Sequence, residues 1–282
     1  VLFRSRPGDR MGVIRTPPES LGRRELAAKR DIAREFGRAS NTYEQASRLQ
    51  RRMGDAMLAR LAQQNLAPRT ILDLGCGTGW FTRELQKRFP EAQIVGVDLS
   101  PGMTEKACSA SPDSIQWLTA DAETLPFSSD TFDLVFSNLM IQWCQCPGTV
   151  LAQCRRLLRP EGRLAISTLL DGTLWELKQA WSVADPGQPH VNRFEQPEIW
   201  RDLTGNVLPG SELVTETIRL PYDSPMALNR ELKLLGAGFK GEGRRKSVTS
   251  PGRYKAMCSA YPLSEIDDYA ATYLAGWTYW QR

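Results

Sequence analysis

The sequence is poor in histidine, with one in 282 residues, and it holds only six cysteines. A chain this long with six cysteines is not a disulfide scaffold, so a reducing, cytoplasmic setting is expected. Cys144, Cys146 and Cys154 form the only cysteine cluster. A zinc site would need a fourth ligand, which one histidine scarcely supplies, so ordinary buried thiols and no metal are expected. No apolar run approaches the roughly 20 residues of a membrane span. Residues 1–19 hold no apolar segment long enough for a secretory signal. Residues 1–22, with Arg4, Arg6, Pro7, Gly8 and Arg10, are read as a disordered leader or an artefact of the sequence's origin, with Met11 as a candidate start. There is no internal repeat.

Charge is nearly balanced overall, at +4, but unevenly spread. Up to Leu66 there are 14 Lys and Arg against 7 Asp and Glu, and from Met226 to Ala256 there are 8 against 2. Basic flanks around an acidic middle suit an anionic partner, although solvated helix faces would look the same.

Residues 23–67 carry an apolar stripe at helical spacing, with Ile32 and Phe36, then Leu49, Met53, Met57 and Leu61. Gly37 and Ser40-Asn41 are expected to break this cap into two helices. The period then changes. Short apolar strands are expected at 70–74, 93–98, 115–120, 132–137 and 163–169. Helices are expected at 80–88, 103–110 and 150–158, the last closed by an Arg159-Pro160-Glu161-Gly162 turn. This alternation predicts an α/β fold with a Rossmann-like sheet and helices on both faces. Residues 68–170 would form that core. Residues 171–282 would add a lid insertion, a basic helical insertion and the last strands to the same domain. Within them a helix is expected at 174–183, a strand at 212–222, a helix at 226–235 and a strand at 270–280.

The strongest local signal is Asp73-Leu74-Gly75-Cys76-Gly77-Thr78-Gly79, placed between a strand and a helix. Glycines there let backbone approach a ligand at the carboxyl end of the first strand. A dinucleotide fingerprint spaces its glycines as G-x-G-x-x-G to admit a pyrophosphate. Here the pattern is G-x-G-x-G behind an acid, which disfavours phosphate and suits a cationic amino-acid group. Asp98 ends the second strand, where a carboxylate accepts ribose hydroxyls, and Leu99 follows it. Asp121 follows the third strand and could accept an exocyclic amine of adenine, with Ala122 and Leu125 against the ring. Amino acid, ribose and adenine without phosphate describe S-adenosylmethionine.

These segments, together with Phe132-Asp133-Leu134-Val135, resemble the successive motifs of class I methyltransferases in order and spacing. The flanks resemble one family more narrowly, the malonyl-acyl-carrier-protein O-methyltransferases of biotin synthesis. The similarity lies in residues 32–40, Tyr43-Glu44, Leu49-Gln50-Arg51, Ser137-Asn138-Leu139, Ile141-Gln142-Trp143-Cys144, His190-Val191-Asn192-Arg193-Phe194, Leu235-Gly236-Ala237 and Tyr261-Pro262-Leu263. Two departures stand out: Glu265-Ile266-Asp267-Asp268 where the last strand should start, and a long basic segment at 241–247. The resemblance implies methylation of the free carboxylate of malonyl-acyl carrier protein, which masks its charge for fatty-acid elongation. Such a carboxylate is already a nucleophile and needs no general base.

On this reading Asp73, Gly75, Cys76, Gly77, Asp98, Leu99, Asp121, Ala122 and Asn138 bind the cofactor. Tyr43, Gln142, Trp143, His190 and Arg193 surround the acceptor. Acyl carrier protein is expected to dock on Lys240, Arg244, Arg245 and Lys246, with Arg48, Arg51 and Arg52 as the second candidate. No nucleic-acid or membrane partner is expected. Ser137-Asn138-Leu139-Met140 is not the Pro-Pro-aromatic type that presents a base amine. A methyltransferase of another small acid or a quinone-like ring would share this core. So would a catalytically silent cofactor-binding protein, against which the intact Asp73, Asp98 and Asp121 argue.

Overall fold

The computed structural model describes residues 23–239, 249–263 and 268–282. The leader expected at 1–22, the basic segment with Lys240, Arg244, Arg245 and Lys246, and the acidic Glu265 and Asp267 lie outside the described residues.

Strands β1 (Thr70–Leu74), β2 (Gln93–Asp98), β3 (Gln116–Thr119), β4 (Phe132–Asn138), β5 (Leu158–Leu170), β6 (Glu212–Tyr222) and β7 (Tyr269–Gln281) form one sheet among the described residues. Their order is β3-β2-β1-β4-β5-β7-β6. The first five pair in parallel, and β7 runs antiparallel between β5 and β6. A parallel strand covered on both faces must be apolar almost throughout, and Ile71, Leu72, Asp73 and Leu74 of β1 are all buried. Alternate residues serve opposite faces. Ile71, Ile94 and Phe136 pack with α3 (Arg48–Ala62), α4 (Trp80–Arg88), α7 (Trp175–Ala184) and α10 (Pro251–Ala260). Leu72, Val97 and Val135 pack with α6 (Pro147–Leu157) and α8 (Pro197–Val207). Helix α5 (Pro101–Ser109) joins β2 to β3, and α9 (Pro225–Leu234) follows β6.

Three differences from the sequence reading have physical causes. The expected turn at Arg159–Gly162 is an irregularity inside the 13-residue β5, where the register with β4 shifts between Phe132 and Leu134. Glu161 takes a φ of 66° there, and its N–H donates to the carbonyl of Arg282 at the end of β7. Helices α8 and α10 were not foreseen. Each begins at a proline, whose fixed φ suits a first helical turn but reads as loop punctuation in a sequence.

Gly37 does not break the first helix. Helix α1 (Arg23–Ala39) runs through it and ends two residues later, before the short α2 (Tyr43–Ala46). Gly37 is instead a contact glycine. A Cβ there would lie 2.9 Å from Ser100 Oγ, and one on Gly102 of α5 would lie 3.0 Å from the Gly37 Cα. The two backbones therefore meet, which seats α1 against the sheet's carboxyl edge. Gly236, after α9, presses on α1 in the same way, 2.9 Å from the Glu35 carbonyl for an added Cβ.

Candidate cofactor and acceptor site

The sheet order reverses at β1, which has β2 on one side and β4 on the other. The crevice outside the carboxyl ends of such strands is where α/β folds bind ligands. An open cleft lies there, walled by the strand ends and by α1. Gly75 and Gly77 after β1, Asp98 and Leu99 at the end of β2, Asp121 and Ala122 after β3, and Asn138 at the end of β4 all line it.

The loop after β1 needs its glycines. Gly75 has a φ of 78°, in the left-handed region, and a Cβ on it would fall 2.2 Å from the Met140 side chain. Gly77, at φ 54°, has only Tyr43 near an added Cβ, at 3.9 Å. Backbone is thus bared toward the cleft at Gly77 with space in front of it.

Asp98 organises this loop. Its Oδ2 accepts from the N–H of Gly77 at 2.9 Å and its Oδ1 from that of Ser100 at 2.8 Å. Burial pushes its pKa up, while the N–H groups of Ser100, Gly77 and Leu99 oppose that. Lone pairs not taken by these N–H groups remain to accept from hydroxyls in the cleft. Asp121 Oδ1 accepts from the Glu123 N–H at 3.0 Å, and its Oδ2 lies 2.6 Å from Lys29 Nζ.

Asp73 and Cys76 do not line the cleft. Asp73 is buried beneath the loop and accepts from the Thr82 hydroxyl of α4. Burial pushes its pKa up to about 7, against the pull of that hydrogen bond. Its place is under the loop, as the tie between β1 and α4, rather than on the cleft's lining. Cys76 is also buried, and burial raises its pKa far above the ordinary thiol value. Asn138 reaches the cleft, but its amide is engaged in the scaffold. It donates to the Gln50 carbonyl at 2.9 Å and accepts from the Ser167 hydroxyl at 2.7 Å.

Of the five acceptor candidates, Tyr43 and Trp143 line the cleft. The Trp143 ring meets Phe36 of α1 edge-on, with centroids 5.2 Å apart. Gln142 does not line it. Its Nε2 donates to the Leu139 carbonyl, and its buried Oε1 has no hydrogen-bond partner among the described residues. His190 stacks on Trp181 of α7, with centroids 3.9 Å apart, and its Nε2 lies 2.9 Å from the buried Asp185. Asp185 also holds Arg253 of α10 at 3.3 Å. His190 therefore belongs to a cluster that fastens α7 to α10, outside the cleft lining. Arg193 is exposed and outside that lining too.

The sequence reading missed the contribution of α1. Lys29, Ile32, Ala33 and Phe36 all line the cleft. Their i, i+3, i+4, i+7 spacing marks one helix face, a pattern visible in the sequence but indistinguishable there from a core stripe.

Among the described residues, the lining carries the carboxylates of Asp98, Asp121 and Glu123 against one cation, Lys29. That balance repels phosphate and attracts positive charge. Together with the bared Gly77 backbone and the free acceptor sites on Asp98, it fits S-adenosylmethionine: an amino-acid group, ribose hydroxyls and a sulfonium, without phosphate.

Comparison with known proteins agrees with this geometry. Residues 72–166 match the methyltransferase domain model. The YcgJ protein of Bacillus subtilis shares the fold, with a TM-score of 0.58 at 15% identity over 81% of this chain and 98% of that one. A malonyl-acyl-carrier-protein O-methyltransferase of Hahella chejuensis is 36% identical over 93% of this chain and 94% of its own. The biotin biosynthesis bifunctional protein BioHC of Cellvibrio japonicus is 37% identical over 83% of this chain and 46% of its own length. With a relative this similar along nearly the whole of both chains, the protein belongs to the malonyl-acyl-carrier-protein O-methyltransferase family of S-adenosylmethionine-dependent enzymes.

Proposed function

We propose that this methyltransferase esterifies the free carboxylate of a malonyl group carried on acyl carrier protein, an early step of biotin synthesis in the cytoplasm. The observation that carries the reading is the near full-length match to the Hahella chejuensis enzyme of that name. The site's chemistry supports it. S-adenosylmethionine supplies a methyl group on a positively charged sulfur. A carboxylate oxygen attacks that carbon without first losing a proton, so no general base is needed. The one histidine, held between Trp181 and Asp185, is not required for the step. Neutralisation of an anion by a sulfonium is favoured where water is excluded, and α1 with Phe36 and Trp143 walls the cleft with apolar surface. What remains for the chain is alignment of the reacting atoms.

Docking of the acidic carrier is assigned to Lys240, Arg244, Arg245 and Lys246. The competing arginines are already engaged. Arg48 pairs with Glu231 at 2.9 Å, Arg52 with Glu216 at 2.7 Å, and Arg51 lies 4.0 Å over the Trp80 ring. Exposed charges act mainly on association rate and are screened by salt. Reversal of Arg244 and Arg245 to glutamate is expected to raise KM for malonyl carrier roughly tenfold at low salt. Activity on a small malonyl thioester should stay within about twofold. Steady-state kinetics on both substrates checks this. Equal loss on both would contradict a docking role for the segment.

A further inference from the structure

Lys29 is out of place for a lysine. It sits at the amino-terminal half of α1, yet is only 7% exposed. Its ammonium lies 2.6 Å from Asp121 Oδ2 and 2.8 Å from Glu123 Oε2. Burial alone would lower its pKa, but hydrogen bonds and charge from Asp121 and Glu123 outweigh that and raise it. The ammonium is therefore held charged, and buried ion pairs are screened little by salt.

The three groups are arranged for more than packing. Glu123 is fixed from behind, since its Oε1 accepts from the N–H groups of Gln145 and Cys146 at 3.0 and 3.2 Å. Asp121 is fixed by the Glu123 N–H. Two hydrogen-bonded carboxylates on the rim after β3 thus grip one cation on α1. Lys29 shares its helix face with Ile32, Ala33 and Phe36, which cover the cleft. The other end of α1 is seated by Gly37 against Gly102 and by Gly236 against Glu35. The carboxyl-terminal half of the helix is held by backbone contact, whereas Lys29 ties the half over the Asp121 side to the rim through its side chain.

We infer that Lys29 is a positioning residue, a latch that holds α1 down over the cleft and so sets the rate at which S-adenosylmethionine and its demethylated product exchange. The inference rests on the reading of the cleft as the cofactor site. A carboxylate offers about four lone-pair positions, so Asp121 can serve Lys29 and an adenine amine together. Where the amine claims Asp121, Glu123 still holds the latch. The Lys29 ammonium is taken up by Asp121 and Glu123, so it should govern exchange rather than the methyl-transfer step.

The test uses Lys29→Met and Lys29→Arg in the full-length protein. In the cofactor-free state, hydrogen exchange of α1 amides over 26–36 should quicken about tenfold in Lys29→Met, the loss of a charge-assisted bond, while α4 amides stay protected. S-adenosylhomocysteine release, followed by stopped-flow displacement, should quicken by a similar factor, and Lys29→Arg should restore most of the slow release. If Lys29→Met does not fold, Glu123→Gln removes one anchor and should give a smaller change in the same direction. Unchanged α1 exchange and release would overturn the latch, as would equal loosening of α4, which would mark general destabilisation. Failure of the cofactor reading would look different, because the wild-type protein would then bind no S-adenosylhomocysteine whatever the state of α1.

Discussion

Asp98→Ala should weaken S-adenosylmethionine binding by about 3–4 kcal/mol, roughly 10²- to 10³-fold in Kd, if two charge-assisted hydrogen bonds to the ribose are lost. The substitution also strips the N–H groups of Gly77 and Ser100 of their acceptor. The loop after β1 then loses the group that holds it open, so the loss should sit at the upper end of that range. Asp98→Asn keeps a neutral acceptor and should fall between wild type and alanine. Calorimetric titration of the three proteins measures this directly. Wild-type affinity in Asp98→Ala would remove the ribose from this strand end.

Tyr43→Ala should instead lower kcat about 100-fold, the scale of a misplaced reactant, and change cofactor Kd by less than about tenfold. Tyr43 stands on α2, lines the cleft and faces the Gly77 backbone. Burial, with the nearby Asp98 charge second, pushes its phenol pKa far up, so the hydroxyl stays protonated. A protonated phenol donates a hydrogen bond and can orient an acceptor carboxylate without taking up charge. Tyr43→Phe separates the hydroxyl from the ring, and a loss confined to Ala would assign the effect to packing. Single-turnover rates at saturating cofactor are the measurement. Wild-type turnover in Tyr43→Ala would place the acceptor elsewhere.

The cleft's floor was legible in the sequence because it is local. Gly75, Asp98 and Asp121 each follow a short apolar run, and in a parallel sheet every strand's carboxyl end reaches the same edge. The lid was not legible, because it depends on how remote segments meet. Lys29 reads as an ordinary helical lysine until α1 lies across Asp121 and Glu123. Gly37 reads as a helix breaker until Gly102 is found opposite it. His190 and Arg193 belong to a segment that carries the family resemblance, but the loop after α7 stacks His190 on Trp181 and leaves Arg193 exposed. Asp73 shows a subtler limit. Its place in the motif was plain, but whether it faced the ligand or the core was set by Thr82, nine residues on.

The chain's reaction is transfer of a methyl group from S-adenosylmethionine to the malonyl carboxylate on acyl carrier protein. Intact-protein mass spectrometry of malonyl carrier incubated with enzyme and cofactor tests it most directly. One methyl group should replace one proton on the malonyl arm, in step with S-adenosylhomocysteine formation. Cofactor turnover on another acceptor with the malonyl carrier left unmodified would contradict it.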